Sequence, residues 1–234
     1  MTITDLMKEL ESLGTEQNRK IYQRHGAGSI LFGVSFANID KLAKRIKCDQ
    51  SLAEQLWQTG NADAQTLATR IADPAAFTEM MLEQWLAVCK YHGLVDQFVS
   101  NIVAKTPFAE KLQLDWYTSE DEWKGRAGWL LVGLNAMEGA SQPNEYYLEV
   151  LAEIERTIHQ EPNRKREAMY NTLLGIGIRS EDLSQAAIAT AKRIGKVAID
   201  HGDTSCKTPD AVAYIQKARE HYAAKGVPKK RSVC

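Results

Sequence analysis

The apolar residues recur with the period of an α-helix from Phe36 onward, and this periodicity restricts the fold more than any other feature of the sequence. In the first stretch, Ile39, Leu42 and Ile46 follow Phe36 along one helical face. Similar stripes continue along the chain, with predicted helix lengths of roughly 10 to 18 residues and connections of about 2 to 8. No sustained alternation typical of a sheet occurs, and the single extended candidate, residues 29–35, is equally typical of a loop. The pattern predicts an all-α chain.

Many short helices in succession predict stacked helical hairpins of the HEAT or armadillo kind, with units of roughly 40 residues. No strict internal repeat is visible, so we expect a degenerate helical-repeat solenoid, an α-α superhelix, and a globular helical bundle is the weaker alternative. The helices fit one domain over residues 1–225, followed by a short basic tail over residues 226–234. Two Ser-x-x-Glu patterns, beginning at Ser51 and Ser119, predict helix starts through a capping box.

Composition excludes several classes of protein. Hydrophobic residues make up 44% of the 234 residues and charged residues 25%, which is too apolar for a disordered chain. The longest uncharged run, residues 25–39, is too short and too polar to span a bilayer, and residues 1–14 lack the features of a signal peptide. The four cysteines show no CxxC spacing, which favours reduced thiols in the cytoplasm. We expect a cytoplasmic protein, monomeric and without a membrane partner.

Charge is unevenly distributed along the chain, although the net charge is only −1. Residues 1–150 contain 14 Lys and Arg against 20 Asp and Glu, whereas residues 151–234 contain 15 against 10. A basic C-terminal third is typical of a surface that faces phosphates, and it is also compatible with an ordinary solvated surface.

Two weak motifs carry no prediction of a cofactor or a metal. The glycines between residues 26 and 33 resemble part of a dinucleotide loop, but Leu31 replaces the third glycine and no strand precedes them. His201 and Cys206, with acidic neighbours, offer too few ligands for a tetrahedral metal site and fit a polar turn. We expect neither a metal nor a cofactor.

Two helices carry polar residues that deserve a chemical interpretation. His92 and Asp96 lie four residues apart, hence on one helical face; an ordinary helix-start histidine and a surface aspartate are the plainer interpretation. Helical spacing places Arg126 on the flank of the stripe that contains Trp123 and Leu130. A guanidinium at such an apolar margin needs a carboxylate or a phosphate partner, and a structural ion pair satisfies that need equally well.

A cluster of three cations, Arg164, Lys165 and Arg166, falls in the first turn of the helix that follows Pro162. Positive charges at this end oppose the helix dipole, which is easier to understand if an anion lies nearby. A solvated corner explains the cluster about as well.

These residues, taken in order, give the chain a resemblance to the AlkD-type DNA alkylation repair glycosylases, which are built from HEAT-like repeats. The resemblance covers roughly residues 5 to 200. Four short segments carry it, namely Phe32–Arg45, Leu56–Ala68, Leu94–Asp96 and Trp123–Ala127. Their order and separation are more specific than any single segment.

The resemblance implies a concave, basic surface that binds alkylated duplex DNA through its backbone and excises cationic N3- and N7-alkylated purines without a deep flipped-base pocket. In this family a carboxylate and an arginine lie beside the lesion, and the matching residues, Asp96 and Arg126, are the expected catalytic residues. Two tryptophans frame the deoxyribose in the family; His92 stands at the first position, and Asn171 lies near the second. We also expect DNA contacts from His92, Trp123, Arg164, Lys165, Arg166 and Asn171.

The expected reaction needs an anion more than a strong acid. Alkylation already makes the purine a good leaving group, and the transition state resembles an oxocarbenium ion. An ionised Asp96 would stabilise that cation and orient water. A protonated His92 would add positive charge beside it, where an aromatic face would instead stabilise it by roughly 0.5 to 2 kcal/mol.

Three functions therefore remain in competition. The first is an AlkD-like repair protein that excises alkylated bases, and the second is a HEAT-like protein that binds DNA or phosphate groups without cutting glycosidic bonds. The third is a protein-interaction scaffold, for which the helical repeats alone suffice. Asp96 and Arg126 favour the first two, and the absence of both tryptophans favours the second over the first.

Overall fold

Helices build the described part of the chain. The structure is a computed structural model and describes residues 2–137 and 142–225. Its α-helices are α1 (Ile3–Leu13), α2 (Glu16–Arg24), α3 (Phe36–Ile46), α4 (Gln50–Gln58), α5 (Ala62–Ile71), α6 (Glu79–Val88), α7 (His92–Asn101), α8 (Ala109–Tyr117), α9 (Glu122–Met137), α10 (Asn144–Thr157), α11 (Asn163–Arg179), α12 (Glu181–Ile194) and α13 (Ala211–Lys225). Single turns of 3₁₀ helix, Pro74–Ala76 and Val103–Lys105, precede α6 and α8. The predicted all-α class is confirmed, and within these described ranges the extended pairing is one isolated bridge between Gly14 and Val34.

The helices pack in a stacked pattern. Neighbours in sequence contact each other, as α4 does with α5 and α11 with α12. Helices also contact the next helix but one: α3 packs on α5, α5 on α7, α10 on α12 and α11 on α13. Such contacts arise when successive helical hairpins stack, because each hairpin buries its apolar face against the next one. The packing is therefore that of a helical repeat.

The chain divides into two compact units. The first extends to Gly128 and also includes His201–Cys206, and the second contains Trp129–Asp200 and the segment from Lys207 onward. A single domain over residues 1–225 stays a prediction. The basic tail predicted over residues 226–234 lies outside the described residues.

An aromatic cluster forms the centre of the first unit. The rings of Trp57 and Trp85 are stacked, with centroids 4.0 Å apart and planes within 8°. Phe77 meets Trp85 edge to face at 4.9 Å, and Phe98 of α7 lies 5.8 Å from Trp57. Each such pair contributes about 0.5–1.5 kcal/mol beyond the burial of its area. The cluster joins α4, α6 and α7, and so fixes the position of α7.

Aspartates, and not the predicted serines, cap two of the helices. The Oδ1 atom of Asp49 accepts a hydrogen bond from the N–H of Leu52 and caps α4. The prediction of a capping box at Ser51 was therefore wrong. The Oδ1 atom of Asp121 accepts from the N–H groups of Trp123 and Lys124, and it replaces the cap predicted at Ser119. A carboxylate is at least as good an acceptor as a hydroxyl at this position, and its charge also suits the helix dipole.

The segment before α3 is a loop held in place by one buried carboxylate. Asp63 is 3% exposed, and its Oδ2 atom accepts hydrogen bonds from the N–H groups of Phe32 (2.6 Å) and Gly33 (2.9 Å). Its Oδ1 atom accepts from the N–H of Val34 at 3.0 Å. Burial raises the pKa of Asp63, and the three N–H donors act in the opposite direction. Asp63 thereby fixes the entry into α3 at Ser35.

Candidate functional site

Asp96 and Arg126 form a two-pronged ion pair between α7 and α9. The Nε atom of Arg126 donates to Oδ1 of Asp96, and its Nη2 atom donates to Oδ2, both at 2.8 Å. The Arg126 side chain is 1% exposed and that of Asp96 is 13% exposed. A fork of this geometry is stronger and more directional than a single contact. The carboxylate keeps a narrow exposed edge, whereas the guanidinium lies out of solvent.

The position of Arg126 follows from how α9 is held. Gly128 lies so close to the end of α8 that a Cβ atom there would stand 2.1 Å from the backbone nitrogen of Tyr117. Only glycine permits this approach. At the first turn of α9, Lys124 donates to Oε2 of Glu83 at 3.0 Å, and Trp116 of α8 donates to Oε1 of the same glutamate at 2.7 Å. These contacts orient α9 so that Arg126 meets α7.

His92 is the first residue of α7 and lies one turn before Asp96. It is 8% exposed. Its ring meets the rings of Tyr91 and His25 edge to face, with centroids 5.0 Å and 5.8 Å away. The predicted shared face of His92 and Asp96 is present, and His92 occupies an enclosed position among aromatic rings.

Trp123 lies one turn before Arg126 on α9 and is half-buried. Its predicted role in DNA contact stays a prediction. Asp96, Arg126, His92 and Trp123 all belong to the first unit.

A polar network that the sequence analysis missed lies beside the ion pair. Arg70 of α5 donates to Asp40 of α3, and its Nη2 atom donates to the side-chain oxygen of Gln97 at 3.0 Å. The side-chain amide of Asn101 in turn donates to Gln97, at 3.2 Å. Gln97 directly follows Asp96 in α7. The network therefore connects α3 and α5 to α7, the helix that carries the carboxylate.

The predicted cation cluster lies at the start of α11, as expected, and belongs to the second unit. The Nη1 atom of Arg164 contacts Oε2 of Glu167 at 3.1 Å. Lys165 is 3% exposed, and its Nζ atom lies 2.8 Å from Oε2 of Glu161. These two cations therefore have acidic partners within the fold.

The side chain of Arg166 bonds to backbone carbonyl groups in two other segments of the chain. It donates to the carbonyl oxygens of Ile158, Glu161 and Ala198, at 3.1, 2.7 and 2.7 Å. A guanidinium can satisfy several carbonyls in this way because its five donors diverge in one plane. Asn171 is exposed on the same helix, α11. The DNA contacts predicted for residues 164–166 and Asn171 stay predictions.

Other features of the described residues bear on function. Within the described ranges, no helix is both long and apolar enough to cross a membrane. In the same ranges, no three or more His, Cys, Asp or Glu side chains are arranged so that they could hold a metal ion.

Comparison with known proteins gives consistent matches over almost the whole chain. A family model described as DNA alkylation repair enzyme matches residues 6–215. An uncharacterised protein of Listeria innocua is 30% identical over 226 residues, covering 94% of this chain and 98% of that protein. An uncharacterised protein of Listeria monocytogenes is 28% identical with the same coverage.

A solved structure also matches. It represents a family of proteins related to the HEAT-like repeat DNA glycosylases, with affinity for branched DNA structures. The match has a TM-score of 0.83 and 31% sequence identity, and it covers 97% of this chain and 96% of the other. The predicted HEAT-like helical-repeat fold is thereby confirmed.

Proposed function

Because this chain belongs to the DNA alkylation repair enzyme family, we propose that it binds DNA on the side of the first unit that carries Asp96 and Arg126. The observation that carries the proposal is the ion pair itself. It joins the two residues that match the carboxylate and the arginine beside DNA in the AlkD-type glycosylases, and it leaves an edge of Asp96 exposed.

We further propose that branched DNA is the preferred substrate. The similar solved structure, at 31% identity over nearly the full chain, comes from a family with affinity for branched DNA. His92 stands at the first position where the glycosylases have a tryptophan, and Asn171 lies near the second, so the indole faces that would stabilise a cationic sugar are missing there. Binding, and not base excision, is therefore the main activity that we propose.

Excision of cationic N3- or N7-alkylated purines is the second candidate, and the carboxylate of Asp96 favours it. Both oxygens of Asp96 accept from Arg126, but each retains a lone pair and the side chain is 13% exposed. The anion is in a setting of low exposure, where it stabilises a developing oxocarbenium ion more effectively than in water. The arginine would hold the carboxylate in a fixed orientation.

Binding is tested by fluorescence anisotropy with a four-way junction, a three-way fork and a linear duplex of the same length and composition. We expect tighter binding to the two branched substrates, with an affinity that falls steeply with salt as counterions are released. Equal affinity for the junction and the duplex would contradict the preference for branched DNA. No binding at low salt would contradict DNA binding altogether and favour a protein-interaction scaffold.

Excision is tested by measuring the release of 3-methyladenine and 7-methylguanine from methylated DNA. The wild-type protein is compared with Asp96→Asn and with His92→Trp, each first shown to be folded by circular dichroism. Release that Asp96→Asn abolishes and His92→Trp increases would support the second candidate. No release from any form, with DNA binding intact, would support binding without excision.

A further inference from the structure

The stretch from Glu16 to Lys47, which includes α2 and α3, is basic although the N-terminal part of the chain is acidic. It contains seven Lys and Arg against two Asp and Glu. Arg45 is paired with Glu9 of α1. Lys41, Lys44 and Lys47 are exposed, and among the described residues no ion pair engages them. These three lysines therefore present uncompensated positive charge along α3.

Phe36, the first residue of α3, is a large aromatic side chain that is 41% exposed. Its ring has neighbours on part of its surface: the Tyr22 ring lies 5.9 Å away and tilted, and the Arg70 guanidinium lies 5.9 Å from the ring centroid. These contacts orient the ring while much of it remains in solvent. An exposed aromatic ring with a fixed orientation is costly to hydrate and suited to stacking.

Phe36 shares one side of α3 with one of the three lysines, Lys44, and with Asp40. Phe36, Asp40 and Lys44 follow one another at intervals of four residues, so they form one stripe. Asp40 accepts from Arg70, and Arg70 donates to Gln97, the residue after Asp96. A continuous chain of contacts thus connects the stripe to α7 beside the ion pair.

We propose that Phe36 stacks on the base pair left uncovered at a DNA branch point, while Lys44 and its neighbouring lysines bind the adjoining phosphates. The inference rests on the proposed binding of branched DNA, and it assigns recognition of the branch point to Phe36. In the interior of a continuous duplex every base face is covered by the next base pair, so the ring has nothing to stack on there. At a branch point the stack is interrupted, and a planar aromatic ring can cover the exposed face.

The positive charge of the three lysines favours DNA as the partner that covers the Phe36 ring. An apolar peptide would cover Phe36 but would leave three lysines without partners. A nucleic acid supplies both an aromatic face and phosphates, which is the combination that the stripe displays.

The test measures the affinity of Phe36 variants for a four-way junction and for a linear duplex of matched length, both with every end closed by a hairpin loop. Phe36→Ala is expected to weaken junction binding about 5- to 100-fold, the range for losing one base–aromatic stack. Duplex binding should change less than about twofold. Met80→Ala is the matched control because Met80 is 67% exposed on α6 of the same unit, and it should change neither affinity. Lys44→Ala should weaken the binding of both substrates alike, and it should reduce the slope of log affinity against log salt concentration by about one.

A second measurement guards against a folding defect in Phe36→Ala. Phe36→Trp keeps an aromatic ring and adds one tryptophan to the protein. The emission of that tryptophan, obtained by subtracting the wild-type spectrum, should change when the junction binds and stay constant when the duplex binds. If Phe36→Ala leaves the ratio of junction affinity to duplex affinity unchanged, this inference is overturned, while the proposed binding of branched DNA still stands. A wild-type protein without preference for the junction would instead overturn the proposed function.

Discussion

The guanidinium of Arg126 is buried and pairs with the carboxylate of Asp96. Removing a charge from water costs several kcal/mol, and its partners must offset that cost. The spacing on α9 indicated that this arginine needs a carboxylate or a phosphate, and Asp96 is the partner in the structure. The site thus depends on its ion pair for stability as well as for any chemistry.

Neutralising Asp96 should therefore destabilise the fold. Asp96→Asn removes the negative charge that pairs with the buried guanidinium, and we expect the free energy of unfolding to fall by about 3 kcal/mol. Urea unfolding followed by circular dichroism measures the change. A double-mutant cycle with Arg126→Met provides the control, because removing both charges should cost less than the sum of the single changes. Additive losses would show that the pair contributes no coupling.

Not every residue of the site could be predicted from the sequence. Asp96 and Arg126 were found through helical spacing and short matching segments. Arg70 was missed because its partners, Asp40 and Gln97, lie 30 and 27 residues away in the chain. No local pattern encodes a contact over such a distance; only the stacking of α3, α5 and α7 creates it.

An apolar stripe in the sequence is detectable only where a helix buries several apolar side chains. The stripes of α3 to α7 predicted those helices well. The helix α2 was missed because Ile21 and Tyr22 are its only apolar or aromatic residues and none of its residues is buried, so its sequence shows no apolar stripe. It is held by its capping residue Thr15, whose side chain accepts from the N–H of Asn18, and by contacts made after folding.

The loop before α3 should depend on both oxygens of Asp63. Asp63→Asn replaces one acceptor by an amide that faces backbone N–H groups, so we expect a loss of about 1–3 kcal/mol in the free energy of unfolding. Thermal and urea unfolding measure it. Asp203→Asn, at an exposed position, is the control and should be neutral. A loss of less than about 0.5 kcal/mol in Asp63→Asn would show that the loop does not need the second oxygen.

The close approach of α8 and α9 should tolerate no side chain at Gly128. In Gly128→Ala the new Cβ would meet backbone atoms of Trp116 and Tyr117, which cannot rotate away. We expect a loss of about 1–3 kcal/mol, and weaker DNA binding because Arg126 lies on the displaced helix. Gly28→Ala is the control, since a Cβ there would have open space around it. Unchanged stability in Gly128→Ala would contradict the close packing.

A helical repeat is stabilised through contacts between neighbouring helices, so different helices should open with different free energies. Hydrogen exchange with mass spectrometry measures this. We expect the amides of α2 to exchange first, because the helix buries no side chain, and those of α11 to exchange last, because most of its side chains are buried. Equal protection of the two helices would contradict this order.

Most of the first unit leaves the ribosome long before its last segment has been synthesised. The first unit includes His201–Cys206, and Gly202 of that segment packs so closely on α2 that a Cβ atom there would lie 2.6 Å from the carbonyl oxygen of Arg24. During synthesis this contact has to wait until α9 to α12 have been made. The N-terminal helices therefore spend the longest time exposed in an incomplete state, and they are the part of the nascent chain that most needs protection by chaperones.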